Sequence, residues 1–259
     1  MNDLVTTLQQ RKFSILLLGD VCIDRYEYGL VERISPEAPV PVFMKSHSME
    51  RLGMAHNVYN NLLAMYCNVN FLHPEPSIKT RYVDLKSMQQ VIRVDEDVYS
   101  DPLEFATNVP KYDAIVISDY CKGYIDYGLI EELVFAENMR EGSKAKIYID
   151  TKKPDLARFK GTYTKVNDKE RMGATTSHED VITTLGRYGS SYRGKIIPTK
   201  EVEVADVTGA GDVFLASLAV FDLLYNDIRK AIECANHLAS MSVQHHGVYT
   251  VTDEDLSSL

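Results

Sequence analysis

Cysteine is scarce and scattered. The 259-residue chain has four, at positions 22, 67, 121 and 234, and none form a CxxC pair. That spacing argues against a disulfide framework or a zinc site, so reduced thiols in a cytoplasmic protein are expected. Long apolar runs are also missing. Residues 1–12 are mostly polar, and the first apolar run covers only residues 15–18, far short of the ~20 residues of a membrane helix. Neither a targeting segment nor a membrane partner is expected. Positive charge is in deficit, with 28 Lys and Arg against 37 Asp and Glu, a net −9. The imbalance disfavours broad binding to nucleic acid. A phosphorylated ligand would need a local site built from backbone N–H groups, a few basic side chains or a metal.

What is present is a series of short apolar runs that end in a polar residue and a turn. Ile15-Leu16-Leu17-Leu18 leads to Gly19-Asp20, Ala114-Ile115-Val116-Ile117 to Ser118-Asp119, and Ile147-Tyr148-Ile149 to Asp150. Continuous apolar runs of this length read as strands buried on both faces. Helical stretches such as 127–140 lie between some of them, so the fold class is α/β, a mainly parallel sheet covered by helices. Ligands of such sheets sit beyond the carboxyl ends of the strands. Asp20, Asp119 and Asp150 all fall at that edge and predict a polar cleft, where any one alone would read as a solvated loop residue.

Residues 39–44 and 89–95 break the layered pattern. Their faces are mixed or alternating, and prolines at 36, 39 and 41 point to edge positions. They read as a small β-flap beside the main sheet. No linker or repeat divides the chain, so residues 1–259 read as one domain.

The chemistry concentrates in Asp206-Val207-Thr208-Gly209-Ala210-Gly211-Asp212, followed by an apolar stretch over 213–221. A stretch apolar all round marks a buried helix, and the glycines then occupy the turn that opens it. Such a turn points unpaired N–H groups outward at the positive end of the helix dipole, where an anion binds. An acidic side chain beside a phosphate cradle opposes simple phosphate binding, but it makes sense as a base that deprotonates a hydroxyl attacking the phosphate. The plainer alternative is a Gly-rich turn whose Asp only caps a helix. No GK[ST] follows, so this is not a Walker loop.

Asp206 to Asp212 resembles the C-terminal signature of the ribokinase-like (PfkB) carbohydrate kinases, usually written DTGAGD. The rest of the chain is similar to one branch, the D-glycero-β-D-manno-heptose 7-phosphate kinases of ADP-heptose synthesis. The likeness rests on Leu18-Gly19-Asp20-Val21, Arg33-Ile34-Ser35-Pro36-Glu37-Ala38-Pro39-Val40-Pro41-Val42, Lys79-Thr80-Arg81, Ser118-Asp119-Tyr120-Cys121-Lys122-Gly123 and Asn167-Asp168-Lys169-Glu170. It implies a ribokinase-like fold with lid strands from about 25–50 and 79–96, and a homodimer joined through the lid. It implies ATP and a sugar phosphate as ligands, with Asp212 as base and Gly209, Ala210 and Gly211 as the anion hole. Asn167 and Glu170 would organise Mg²⁺ through water. Thr184, Gly186, Gly189, Thr208 and Asn236 would hold the nucleotide, and Asp24, Gly53, Asn57 and Lys122 the sugar phosphate.

The chain departs from the pattern in three places. The sugar signature PGGAAN reads Leu52-Gly53-Met54-Ala55-His56-Asn57, so Met54 stands where the family has glycine. DPKG reads Asp150-Thr151-Lys152-Lys153. The stretches before Lys79 and between Glu170 and Thr184 are short. His56, His237, His245 and His246 have no zinc-like spacing. Three readings follow: a heptose 7-phosphate kinase, a kinase of another sugar or nucleoside, and a binding protein that kept the fold without turnover.

Overall fold

The structure, a computed structural model, describes residues 3–104 and 111–259. In chain order the elements are α1 (Asp3–Arg11), β1 (Ser14–Gly19), β2 (Val21–Ile34), β3 (Pro41–Met54), α2 (Ala55–Ala64), β4 (Asn68–Leu72), β5 (Ser77–Asp84), β6 (Gln90–Glu96) and β7 (Ala114–Asp119). They continue with α3 (Tyr127–Met139), β8 (Lys146–Thr151), β9 (Tyr163–Asn167), α4 (Asp168–Gly173), β10 (Val181–Thr184), β11 (Ser190–Tyr192), β12 (Lys195–Ile197), α5 (Ala210–Tyr225), α6 (Ile228–Ser242) and α7 (Asp253–Ser257).

The main sheet runs β12-β11-β10-β9-β8-β7-β1-β4. It is parallel from β10 to β4, with β11 and β12 as an antiparallel edge. Side chains alternate across it, as strand geometry requires. Ile15 and Leu17 enter the core under α2, α5 and α6, while Leu16 and Leu18 pack with α3 on the other face. Burial on both faces is why these runs are unbroken in the sequence. Helix α5 lies deepest: every residue from Asp212 to Asp222 is buried, which explains its lack of a polar face.

The second sheet, β3-β2-β5-β6, has four strands. It extends the expected flap to residues 21–54 and 77–96. Edge positions fall to β3 and β6, in keeping with the prolines that lead into β3. Strand β6 is exposed along its whole length.

Where β3 passes into α2, Met54 adopts φ 58° and ψ −128°. That backbone region is one glycine enters freely and an L-residue only with strain. The family's glycine at this position therefore has a backbone reason, and Met54 keeps the conformation while its side chain is buried. Both Met54→Gly and Met54→Ala lose the side chain, but only glycine relieves the strain. Chemical denaturation should find Met54→Gly more stable than Met54→Ala by about 1 kcal/mol or more. The opposite order would mean that Met54 is unstrained.

Candidate active site

The carboxyl ends of β1, β7 and β8 carry the three aspartates expected to line a cleft. Two of them build the loop after β7. Asp20 accepts from the backbone N–H groups of Tyr120 (2.7 Å) and Lys122 (3.3 Å). Asp119 accepts from Cys121 N, Thr151 Oγ1 and Lys153 Nζ at 2.6–2.8 Å. Together they aim Tyr120 at the start of α5. The third, Asp150, pairs with Lys165 of β9 at 2.6 Å.

Asp212 lies in the first turn of α5 and is 6% exposed. Its Oδ2 accepts from Asn57 Nδ2 at 3.0 Å and its Oδ1 from Tyr120 OH at 3.3 Å. Burial pushes its carboxyl up. The Asn57 hydrogen bond opposes this, the Asp150 charge adds to it, and Lys165 and Tyr120 pull back, for a net rise to about 6. A carboxylate so placed is ionised at neutral pH yet still basic enough to take a proton.

The turn before it is locked by Asp206, whose Oδ1 accepts from Thr208 N and Thr208 Oγ1 and whose Oδ2 accepts from Gly247 N. Thr208 is thus bound into the turn. Gly209 has φ 80°, and the helix start leaves N–H groups without intrahelical partners.

A cleft of ≈ 760 Å³, open to solvent, ends on Ala210, Gly211 and Phe214. Thr184, Gly186, Gly189 and Asn236 all line it, so four of the residues expected to hold a nucleotide meet beside the Gly-rich turn. Asn236 braces the wall: its Oδ1 accepts from Ser190 Oγ and its Nδ2 donates to Ile197 O. Val202, Val204, Val207 and Val243 add an apolar wall.

On the lid side, Asp24 of β2 is engaged by Arg81, and Gly53 lies against its carboxylate with no room for a side chain. Asn57 points at Asp212. Lys122 is tied to Asp97 at 2.5 Å and sits over the Tyr99 ring, so it is already committed within the protein. His56 packs against Phe71 and His73.

Asn167 and Glu170 form a capping box at the start of α4. Asn167 Oδ1 accepts from Glu170 N (2.9 Å), and Glu170 Oε2 accepts from Asn167 N (2.7 Å). Among the described residues no group of three or more His, Cys, Asp or Glu could hold a metal ion directly. The remaining Glu170 oxygen suits a cation held through water, as Mg²⁺ commonly is, and does not suit a dehydrated one.

The pfkB family carbohydrate kinase profile matches residues 151–255, the span that holds Lys165, the cleft and Asp212. The chain is 30% identical to the bifunctional protein HldE of Aliarcobacter butzleri over 95% of this chain and 64% of that protein. It is 28% identical to HldE of Helicobacter pylori strain J99 over 94% of this chain and 65% of that protein. The chain carries a PfkB carbohydrate kinase domain. It spans about two thirds of the length of these curated relatives. The first alignment runs over 311 positions against a chain of 259 residues, in line with the shortened stretches. Among solved structures, a phosphofructokinase-2 mutant from Escherichia coli superimposes with TM-score 0.67 at 11% identity, covering 95% of this chain and 97% of that one. Ribokinase from Arabidopsis thaliana, complexed with ribose and ATP, gives 0.64 at 14% over the same shares. At such identities these two speak to the fold alone, which is ribokinase-like. Lys165 in this PfkB domain had no signal in the sequence, because its place does not depend on local pattern, and neither did the bond from Gly247 to Asp206 across 41 residues.

Proposed function

We propose that this chain is an ATP-dependent sugar kinase that phosphorylates a sugar phosphate, most closely D-glycero-β-D-manno-heptose 7-phosphate at O1, for ADP-heptose synthesis. The observation that carries the reading is the buried Asp212 carboxylate at the meeting point of the glycine turn, the cleft and the lid-side residue Asn57. In this reading the nucleotide lies in the cleft with its terminal phosphate at the Gly209–Gly211 turn. The acceptor hydroxyl lies between that phosphate and Asp212. Its proton passes to the Asp212 carboxylate as its oxygen attacks phosphorus, and ADP leaves with the bridging oxygen. The orphan N–H groups of the α5 start take the charge on the transferring group. A magnesium ion held through water by Glu170 would offset the charge of the nucleotide phosphates.

A second reading, a nucleotide-binding protein without turnover, draws support from the strained Met54 at a sugar-facing position. A coupled assay of ATP consumption against a panel of sugar phosphates separates the two. Turnover with heptose 7-phosphate above all others supports the kinase. A different preferred sugar or nucleoside would correct the substrate. ATP binding with no turnover of any acceptor would leave the second reading.

The same proposal includes a cytoplasmic setting. It is supported by four free cysteines and by the lack, among the described residues, of a helix long and apolar enough to cross a membrane. It also includes a homodimer in which two lids cover one another, since Val40, Met44, Ile92 and Val94 are large apolar side chains left exposed on or beside the lid strands, an arrangement that favours pairing. Light scattering should give twice the 29.3 kDa chain mass. A monomer at micromolar concentration would count against the lid pairing.

A further inference from the structure

The side chain of Lys165 is 6% exposed, and its ammonium has one carboxylate partner, Asp150, at 2.6 Å. Burying an ammonium carries a desolvation cost that a single ion pair does not always offset, so its position is informative. A Cβ built on Gly211 would fall 2.7 Å from Lys165 Nζ and 3.7 Å from Asp150 Oδ2. The missing side chain of Gly211 is therefore the space in which the ammonium sits. Gly209 stands in the same relation to Asn57, whose Nδ2 occupies the space a Cβ would need and donates to Asp212. The two glycines of the turn thus admit two side chains of the protein itself, one a hydrogen-bond donor and one a cation, on either side of the base.

We infer that Lys165 is a positioning residue for phosphoryl transfer: seated in the space Gly211 leaves open and tied to Asp150, its ammonium is the fixed counter-charge of the Asp212 carboxylate. The inference rests on the reading of Asp212 as base. Lys165 keeps its protons throughout, and the proton in transit goes only from the acceptor hydroxyl to Asp212. Asp212 is faced by Asp150 from β8, Lys165 from β9, Tyr120 from the loop after β7 and Asn57 from α2. Behind these, Glu170 of α4 acts on Lys165, and Cys22 of β2 and Lys152 after β8 stand beside Tyr120. Asp150 pairs directly with the buried cation, and the Asp212 charge adds a smaller attraction without an ion pair of its own. Desolvation works against the Lys165 charge, but Asp150, by charge and hydrogen bond, and then Asp212 more than offset it.

The test reads the Asp212 carboxyl directly, by carbon NMR titration of the full chain labelled at aspartate, with Asp212→Asn assigning the resonance. In the wild type the midpoint should lie at about 6. Lys165→Met should raise it by about one pH unit, and the acidic limb of kcat with heptose 7-phosphate and MgATP should move with it. Lys165→Arg should restore most of the position. Lys165→Met/Asp150→Asn removes both charges, spares the fold an unpaired buried carboxylate, and should return the midpoint toward that of the wild type. Gly211→Ala displaces the ammonium, so it should shift the midpoint upward alone and add little to Lys165→Met. An unmoved midpoint in folded Lys165→Met overturns the inference and leaves Lys165 as filling. Turnover retained by Asp212→Asn overturns the base reading and, with it, the catalytic meaning of Lys165.

Discussion

Asp212→Asn should lower kcat by ~10²-fold or more while nucleotide affinity changes little. The amide has the shape of the carboxylate, so the start of α5 and the cleft that ends on Ala210 and Gly211 stay in place. What is lost is a group that takes a proton. In the wild type the base must be ionised, so kcat should rise with pH through a midpoint at about 6, and that limb should vanish from the residual activity of the variant. Stability should move the other way. The folded carboxyl titrates above its unfolded value of 3.8, so its contribution to stability is fully present below about 3.8 and is lost as pH rises through about 6. Ionised Asp212 therefore weighs against the fold at neutral pH, by roughly 3 kcal/mol for a shift of this size. Asp212→Asn should accordingly be more stable than the wild type at pH 8, and the gap should close toward pH 4. Denaturant melts at the two values check this. Equal turnover in variant and wild type removes Asp212 from the role of base.

The parts of the fold that local chemistry determines were legible in the sequence. Strands β1, β7 and β8 are buried on both faces and therefore read as unbroken apolar runs ending in aspartate. Helix α5 is buried all round and therefore lacks a polar stripe. The residue pattern alone marked only 39–44 and 89–95 of the lid, because the half-buried strands β2 and β5 carry charged residues such as Arg25, Glu27, Lys79 and Arg81 that interrupt the apolar alternation. The site divides in the same way. Asp212 and the glycines announce themselves by spacing along the chain. The partners that set the state of Asp212 come from four other places in the chain, namely Asn57 from α2, Asp150 from β8, Lys165 from β9 and Tyr120 from the loop after β7. Sequence distance hides such contacts. The ion pair of Lys122 with Asp97 was hidden in the same way, since the two residues lie 25 positions apart.

Gly209→Ala should be as damaging to turnover as the loss of an anion-hole donor, ~10²–10³-fold in kcat. Two effects act together. Residue 209 has φ 80° and opens α5 in the left-handed region, where an alanine costs about 1–2 kcal/mol that glycine does not. The added Cβ also meets the Asn57 amide, while its next neighbour, Val248 Cγ1, stays at an ordinary 3.5 Å. Asn57 is the group that must give way, and Asn57 is a hydrogen-bond donor to Asp212. Moving it leaves the base more poorly held and, because that bond favours the charged form, harder to ionise. The acidic limb of kcat should therefore shift upward as kcat falls. Gly209→Ala/Asn57→Ala separates the two effects. With the amide removed the collision disappears, so the double variant should unfold at a higher denaturant concentration than the additive sum of the singles predicts, while kcat stays low because the donor is absent. Additive stabilities would mean that the turn yields without touching Asn57. In that case the strained backbone alone would account for the need for glycine at 209.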